Sequence, residues 1–308
     1  MNRAVRRGTP EADATLALRT LARGEGRDVQ ELQTLYALEC LLARMALSEF
    51  RDDFVLKGGA LLAAYALRRP TKDLDLSATR LANDIASVTE RLRTICEIPL
   101  PDGVSFDVMS ISASEIRDED QYTGVRLRIS GALGTARLRI GIDVSFGDPI
   151  WPAPKLVQVP RLLNSDTDPV LVLGYPLTMV LAEKIVTAVE RGEANTRWRD
   201  FADVHAISRQ HRLDQETLRS SIREVAQYRE VELLPLAAAV GGLAAVGQER
   251  WTRWVRRVER TDLPESLSEL LGSVARFADP LIIGPDHPAT WSPDEQRWIE
   301  SVGARTLP

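Results

Sequence analysis

The sequence predicts an α+β fold, in which a mixed-sheet N-terminal domain is followed by a helical C-terminal domain. Up to about residue 170, segments with apolar residues at every second position alternate with segments of helical spacing, as expected for strands and helices. From Pro176 onward the apolar residues recur at helical spacing. A chain of 308 residues is long enough for two domains of ordinary size.

The first half of the chain is predicted to begin with helices and to continue with strands. Helical spacing over Leu16–Glu49 indicates one or two helices, broken at Gly24-Glu25-Gly26, and further helices are predicted at Ala60–Leu67 and Leu81–Cys96. Strands are predicted where apolar residues form short runs or alternate with polar ones: Phe54–Leu56, Asp73–Leu76, Val104–Met109, Val125–Ile129 and Ala136–Phe146. The last two strands flank Gly131–Gly134 and are expected to form an antiparallel hairpin.

The second half is predicted to be helical after a bridge rich in proline and aspartate, Pro149–Pro169. Six helices are predicted from apolar periodicity: Thr178–Glu190, Trp198–Arg209, Gln215–Tyr228, Leu233–Val246, Gln248–Arg260 and Ser266–Phe277. The tail, Pro280–Pro308, is predicted to be irregular. The expected division is therefore a helical segment at 1–50 that packs on the next domain, a sheet-containing domain at 51–170 and a helical domain at 171–308.

Composition and charge exclude several classes of protein. The net charge of −5 disfavours a protein that coats nucleic acid through bulk electrostatics, while a local basic surface stays compatible with it. No apolar run approaches the roughly 20 residues of a membrane span, and the N-terminus lacks the apolar core of a signal peptide. Three scattered histidines are too few for a zinc site. We therefore expect a cytoplasmic protein with no membrane contact.

The most informative pattern joins a glycine turn to a pair of carboxylates. Lys57-Gly58-Gly59 ends one predicted strand, and Asp73 and Asp75 lie two residues apart on the next. Residues two apart on a strand face the same side, and neighbouring carboxylates repel each other unless a cation lies between them. Mg²⁺ is normally held by one or two carboxylates with substrate phosphates, and a glycine pair lets backbone N–H groups approach those phosphates. The pattern therefore predicts a site for a nucleoside triphosphate and its metal.

A third carboxylate strengthens this prediction. Asp143 lies between apolar residues on a strand that we expect to pair near the first. Three carboxylates on adjacent strands can hold two metal ions, one activating the attacking hydroxyl and one stabilising the leaving pyrophosphate. A lone Asp-x-Asp is common on solvated strand faces. It is the ordered combination with the glycine turn and Asp143 that favours a functional site.

Several segments of the chain occur together in one order: Phe54–Ala60, Arg69–Asp75, Ile142–Ser145, Ala182–Ile185 and Arg197–Val204. In this order they resemble the AbiEii-type nucleotidyltransferase toxins, including the mycobacterial MenT enzymes, within the DNA polymerase β-like nucleotidyltransferase superfamily. The resemblance spans about Leu32 to Ile207. It implies a nucleotidyltransferase domain at 51–170 followed by the helical domain, with the active site expected in the cleft between them. One departure is Gly58-Gly59-Ala60, since the superfamily usually has Gly-Ser there; backbone N–H groups must then replace the missing hydroxyl.

The resemblance implies a role for each matching residue. Asp73 and Asp75 would bind Mg²⁺, with two ions expected, and Asp143 would complete the site or act as a base. Asp203, and with it Asp200, would position the nucleotide or the lysine. The residues implied to contact the NTP are Lys57, Gly58, Gly59, Lys184, Asp200 and Arg197. From the residues alone, a surface ion-pair cluster of Glu183, Lys184, Arg197, Asp200 and Asp203 is the favoured interpretation, and the resemblance reverses that preference.

The resemblance also implies an acceptor and a partner. The family acts on RNA, often at the tRNA 3′ end, as the toxin of a bacterial toxin–antitoxin system with a cognate antitoxin. Two groups of arginines could line an approach for RNA: Arg191, Arg197, Arg199, Arg209 and Arg212 in one, and Arg253, Arg256 and Arg257 beside Trp251 and Trp254 in the other. At helical spacing, however, Trp251, Trp254, Val255 and Val258 favour a buried core stripe over an RNA-binding surface.

Other interpretations stay open at this point. Thr71 is a candidate regulatory residue, because a phosphate there would add negative charge beside the metal carboxylates. An ordinary threonine at the start of a strand is nevertheless the favoured explanation. The enzyme could instead be an antibiotic-type adenylyltransferase that acts on a small molecule. A catalytically silent partner-binding module is the third alternative, which the intact set of carboxylates and Lys184 disfavours.

Overall fold

The computed structural model describes residues 8–81, 84–117, 123–163, 168–258, 260–284 and 287–300. The chain divides into two compact units. The first consists of Met1–Asp148 and Pro154–Tyr175, and the second of Pro149–Ala153 and Pro176–Pro308.

The first unit combines helices with a mixed sheet. Its helices are α1 (Pro10–Glu25), α2 (Val29–Leu47), α3 (Gly58–Leu61), which continues into a 3-10 turn (Leu62–Tyr65), and α4 (Ile85–Glu97). Its strands are β1 (Phe54–Lys57), β2 (Asp73–Ala78), β3 (Val104–Arg117), β4 (Thr123–Leu133), β5 (Ala136–Phe146), β6 (Lys155–Val159) and β7 (Val170–Gly174).

Within the described residues these strands form one seven-stranded sheet in the order β3-β4-β5-β2-β1-β7-β6. β2 runs parallel to β5 and antiparallel to β1, and β1 runs parallel to β7. The other neighbouring pairs are antiparallel, including the β4–β5 hairpin that the sequence predicts. The predicted mixed sheet is confirmed.

The two faces of the central strands differ because apolar and polar residues alternate along them. Leu74 and Leu76 of β2 and Ile142 of β5 are buried against Leu41 and Met45 of α2. α2 packs against β5 and β7, and α4 packs against β3, so helices cover the apolar face. Polar residues of β2 and β5 therefore occupy the opposite face, where the candidate site lies.

The second unit is mainly helical. Its helices are α5 (Leu177–Arg191), α6 (Trp198–Gln210), α7 (Gln215–Tyr228), α8 (Leu236–Ala239), α9 (Leu243–Val258) and α10 (Leu267–Ile282). α5 packs against α7, while α6 and α9 both pack against α10. Three short strands, β8 (Leu213–Asp214), β9 (Ala289–Ser292) and β10 (Arg297–Glu300), form an antiparallel sheet in the order β10-β9-β8. In the described part of the chain no helix is both long and apolar enough to cross a membrane.

The middle of the chain contains two strands that were not predicted and one predicted helix that is wrong. β6 forms within the bridge Pro149–Pro169 and pairs with β7. Both strands are only five residues long, so their alternation is hard to distinguish from loop sequence. The predicted helix Leu233–Val246 is interrupted: Gly241-Gly242 separates the four-residue α8 from α9, as glycine commonly does.

The prediction for Pro280–Pro308 is also wrong over the residues described there. α10 continues to Ile282 and contains Pro280 in its last turn. The β9–β10 hairpin follows, and Trp291 and Trp298 pack on Phe277 with ring centroids 4.8 and 5.6 Å away. This aromatic cluster depends on contacts between distant residues, which periodicity does not report.

Candidate active site

The polar face of the first unit brings together the three predicted carboxylates. Across the parallel pair β2–β5, Asp75 lies opposite Asp143, and Asp73 lies opposite Gly141. Residues in register on neighbouring strands face the same side of a sheet. We call the face that carries Asp73, Asp75 and Asp143 the carboxylate face.

Gly141 makes room for the Asp73 carboxylate. A Cβ atom at position 141 would lie 2.2 Å from Asp73 Oδ1, closer than atoms can approach. The carboxylate therefore extends over the neighbouring strand because that strand has no side chain there. Sequence analysis did not identify Gly141, since its role depends on the register of β2 against β5.

Gly58 has the corresponding role for Asp75. Its φ of +65° lies in the left-handed region that glycine favours, and a Cβ atom on it would lie 2.0 Å from Asp75 Oδ2. The backbone N–H of Gly59 donates a hydrogen bond to the Asp75 carboxylate. The predicted glycine turn is thus present, and in this structure it holds a carboxylate.

The electrostatics of Asp75 favour a cation. Burial raises the pKa of its carboxyl above the usual value, and Asp143 and Asp73 add to the rise. Lys57 and the Gly59 N–H act in the opposite direction, but the net shift is upward. The negative charge that Asp75 carries when ionised is therefore only partly compensated by this chain.

A divalent metal fits two of the three carboxylates. Among the described residues no group of three or more His, Cys, Asp and Glu side chains is arranged as a metal-ligand set. Mg²⁺ needs only one or two carboxylates when phosphates supply further oxygens, so Asp73 and the undercompensated Asp75 suit it. Asp143 is engaged elsewhere: its carboxylate accepts two hydrogen bonds from Arg126, at 2.8 Å from Nε and 2.6 Å from Nη2. Asp143 as a metal ligand stays a prediction, and it requires this pair to open.

Asp148, which is not part of the carboxylate face, holds Lys57 beside that face. Lys57 Nζ lies 2.6 Å from Oδ2 of Asp148, and both side chains are largely buried. The same Asp148 oxygen accepts hydrogen bonds from the hydroxyls of Ser145 (2.5 Å) and Tyr175 (3.3 Å), and Lys57 Nζ lies 5.7 Å from the Tyr175 ring centroid. Asp148 therefore fixes an ammonium group that also lowers the pKa of Asp75.

We expect Asp148→Asn to weaken NTP binding about tenfold and to cost about 3 kcal/mol of stability, because the Lys57 charge loses its buried partner. Calorimetric NTP titration with Mg²⁺ and thermal unfolding measure the two effects. Lys57→Met in the Asp148→Asn background removes the uncompensated charge and should recover stability without recovering NTP affinity. Full NTP affinity in Asp148→Asn would show that Asp148 has no positioning role.

The second unit contains the predicted lysine and its acids. Lys184 Nζ lies 2.7 Å from Asp200 Oδ1 and 2.8 Å from Asp203 Oδ2, and Arg197 Nε lies 2.5 Å from Asp200 Oδ2. Burial opposes ionisation of Asp200, but Lys184 and Arg197 outweigh it and hold its pKa below the usual range. The two aspartates are buried on α6, so the cluster is more than a solvated surface pair. Their contact with the nucleotide stays a prediction.

Thr71 lies next to the glycine turn. Its side chain is buried, its hydroxyl donates a 3.2 Å hydrogen bond to the Asp73 carbonyl, and a Cβ atom on Gly59 would lie 3.0 Å from its Oγ1. A phosphate on Thr71 would have to displace this hydroxyl from its buried position. Regulation through Thr71 stays a prediction.

The fold and the carboxylate face together are those of a nucleotidyltransferase, and comparison with known proteins supports the class. The family model described as nucleotidyl transferase AbiEii toxin, of type IV toxin–antitoxin systems, matches residues 40–273. The chain therefore belongs to the AbiEii nucleotidyltransferase toxin family and is a nucleotidyltransferase, as the resemblance predicts.

Three of the solved structures that match this chain come from two bacteria. MenT4, a nucleotidyltransferase toxin of Mycobacterium tuberculosis H37Rv, has a TM-score of 0.54 at 15% identity, over 87% of this chain and 90% of its own. JHP933 of Helicobacter pylori and a second H. pylori structure, described as a nucleotidyltransferase, each have a TM-score of 0.49 at 15% identity. Both matches cover 82% of this chain, with 93% of the first protein and 96% of the second. The search of curated proteins found no match.

Proposed function

We propose that this nucleotidyltransferase transfers an NMP from an NTP to an RNA acceptor, at the tRNA 3′ end, in a Mg²⁺-dependent reaction. In this proposal the protein is the toxin of a toxin–antitoxin system in the cytoplasm and is controlled by a cognate antitoxin. The observation that carries the chemistry is the carboxylate face, where Asp73 and Asp75 lie on one strand and Asp143 lies opposite Asp75 on the next. Family membership supports the antitoxin and the role as a toxin.

The side chains of the first unit have distinct tasks in this reaction. Asp73 and Asp75 would hold Mg²⁺, which when bound neutralises charge on the phosphates. Lys57, fixed by Asp148, places a positive charge at the same face. Asp143 completes the metal site or accepts the proton of the attacking hydroxyl, and either task needs its carboxylate free of Arg126.

The bond changes are those of a single displacement at phosphorus. A hydroxyl of the acceptor attacks the α-phosphorus of the NTP, and the bond from that phosphorus to the oxygen leading to the β-phosphate breaks. Pyrophosphate leaves with that oxygen and its electron pair. In the second unit, Lys184 is a compact charge suited to phosphate and is oriented by Asp200 and Asp203.

The proposal is tested by incubating the purified protein with total bacterial RNA, Mg²⁺ and each α-labelled NTP in turn. We expect one NTP to label a tRNA-sized band, and Asp73→Ala to give no label. Label on an aminoglycoside and on no RNA would instead support a small-molecule adenylyltransferase. Failure to bind any NTP in the presence of Mg²⁺ would contradict the proposal and favour a silent binding module.

A further inference from the structure

A concave cleft in the second unit carries a concentration of positive charge. It lies between the start of α6 and one face of α9 and has a volume of about 570 Å³. Its lining includes two tryptophans, of which Trp198 is buried and Trp254 is partly exposed, and five arginines: Arg197, Arg199, Arg250, Arg253 and Arg257. We call it the arginine cleft. Members of both arginine groups singled out in the sequence meet here.

The charge of the arginine cleft is opposite to that of the whole chain. Among the described residues that line the cleft there is one acid, Asp200, and it is already paired with Lys184 and Arg197. Arg253 pairs with Glu249 at 2.7 Å, but both side chains are highly exposed, so this pair costs little to open. The chain as a whole has a net charge of −5, so it is the local concentration of arginines in the cleft that attracts anions.

The spacing of the arginines fits several phosphates in a row. Arg250, Arg253 and Arg257 recur at intervals of three and four residues, so they lie along one face of α9. From the first to the last this face extends about 10 Å. A row of charges of this length matches a chain of phosphates better than it matches one isolated phosphate group.

Trp254 adds a surface on which a base can stack. It lies in the same row as the arginines and lines the cleft, while Trp251 stacks on it with centroids 5.3 Å apart and planes at 23°. Trp251 itself is fully buried, so it supports Trp254 from the protein side. Arginines that follow a backbone, combined with an aromatic ring that stacks a base, are the usual elements of single-strand binding.

We propose that the arginine cleft binds a single-stranded segment of RNA, with its phosphates on the α9 arginines and a base on Trp254. The inference rests on the proposed function only in naming RNA as the strand. It assigns acceptor binding to a surface that lies outside the carboxylate face.

Direct binding tests this proposal without any catalytic step. The probe is a fluorescent single-stranded RNA of about 12 nucleotides, titrated by anisotropy into full-length Asp73→Ala protein without NTP. Each phosphate contact contributes about 0.7 to the slope of log affinity against log salt. The double variant Arg253→Gln with Arg257→Gln loses two contacts, so the magnitude of its slope should fall by about 1.4. The ratio of wild-type to variant affinity should therefore be about 25-fold larger at 0.1 M salt than at 1 M salt. Arg19→Gln with Arg23→Gln, two exposed changes on α1 of the first unit, is the charge-matched control and should leave binding unchanged.

A second pair of variants tests the stacking. Trp254→Leu should weaken RNA binding by about five- to 150-fold, the range expected for one stacked base. Trp254→Phe retains an aromatic ring and should recover most of the affinity. Because the arginines are exposed, their variants are expected to fold even if Trp254→Leu does not.

Three results would overturn the inference. In the first, RNA binds with an unchanged salt slope in the double arginine variant. In the second, a polyglutamate peptide binds as tightly as RNA and Trp254→Leu has no effect, which would indicate an acidic protein partner. In the third, tripolyphosphate displaces RNA from the cleft at equal phosphate concentration, which would indicate an NTP site.

The inference and the proposed function can fail separately. If RNA binding depends on the cleft but the enzyme transfers no NMP to RNA, the proposed function is contradicted and the inference is supported. Transfer to RNA with an unchanged KM for RNA in the double arginine variant would do the reverse.

Discussion

Asp75→Asn is expected to abolish nucleotidyl transfer while leaving the protein at least as stable as the wild type. The variant keeps the shape of the side chain but removes a metal-binding charge, a loss of about 4 kcal/mol or about 10³-fold in rate. Stability should not fall, because burial and the neighbouring carboxylates already raise the pKa of Asp75 and disfavour its ionised form.

The difference in stability between Asp75→Asn and the wild type depends on pH, because the pKa of Asp75 is raised in the folded state. A carboxyl with a raised folded-state pKa binds its proton more tightly in the native state, so its contribution to stability falls as pH rises above about 3.9. The stability gain of Asp75→Asn should therefore be present at neutral pH and shrink as pH falls toward about 4. Thermal unfolding across this range measures it.

Mg²⁺ provides the complementary measurement for Asp75. A cation that binds the folded protein raises the unfolding temperature, so Mg²⁺ should raise it for the wild type and not for Asp75→Asn. Asp107→Asn, an exposed change on strand β3 of the same sheet, is the control and should behave as the wild type. Transfer within tenfold of wild type in Asp75→Asn would contradict the assigned role.

The second large effect is expected from Gly58→Ala, which should reduce transfer about 100-fold. The added methyl would lie 2.0 Å from Asp75 Oδ2, so the carboxylate or the turn must shift. A displacement of about 1 Å at a catalytic group is enough for a loss of this size. The left-handed backbone should add about 1 kcal/mol of destabilisation.

Gly26→Ala separates the loss of activity caused by the contact with Asp75 from the loss of stability caused by the left-handed backbone. Gly26 has almost the same backbone angle, with φ of +66° against +65° for Gly58, and a Cβ atom on it would meet nothing within 4 Å. It should lose a similar amount of stability and keep full activity. Steady-state transfer and thermal unfolding of both variants decide the matter. Equal activity in the two would mean that the contact with Asp75 is unimportant.

The parts of the molecule that depend on local pattern could be predicted from the sequence. Asp73 and Asp75 lie two residues apart on a strand, so their side chains had to face the same side of the sheet. Two elements have the predicted bounds: the strand Ala136–Phe146 and the helix Gln215–Tyr228. The turn at Gly58-Gly59 could be predicted because glycine between a strand and a helix commonly allows a tight turn that other residues disfavour.

The residues that complete the site depend on strand order, which local pattern does not give. Arg126 reaches Asp143 because β4 pairs with β5 in one register, and Gly141 serves Asp73 because β5 lies beside β2. Asp148 was overlooked because it follows β5 at the start of a proline-rich stretch that looked like a bridge. The β9–β10 hairpin was not predicted because it is stabilised by contacts between distant residues: Trp291 and Trp298 pack on Phe277 of another element.

The measurement that tests the central claim most directly compares α-labelled with γ-labelled NTP on one RNA, with Mg²⁺ and with a chelator. Transfer of an NMP by metal-holding aspartates predicts α label in the RNA, γ label only in released pyrophosphate, and no product in the chelator. Label from the γ position in the RNA would mean that a phosphoryl group is transferred instead. Undiminished α label in the chelator would mean that Asp73 and Asp75 do not act through a divalent metal.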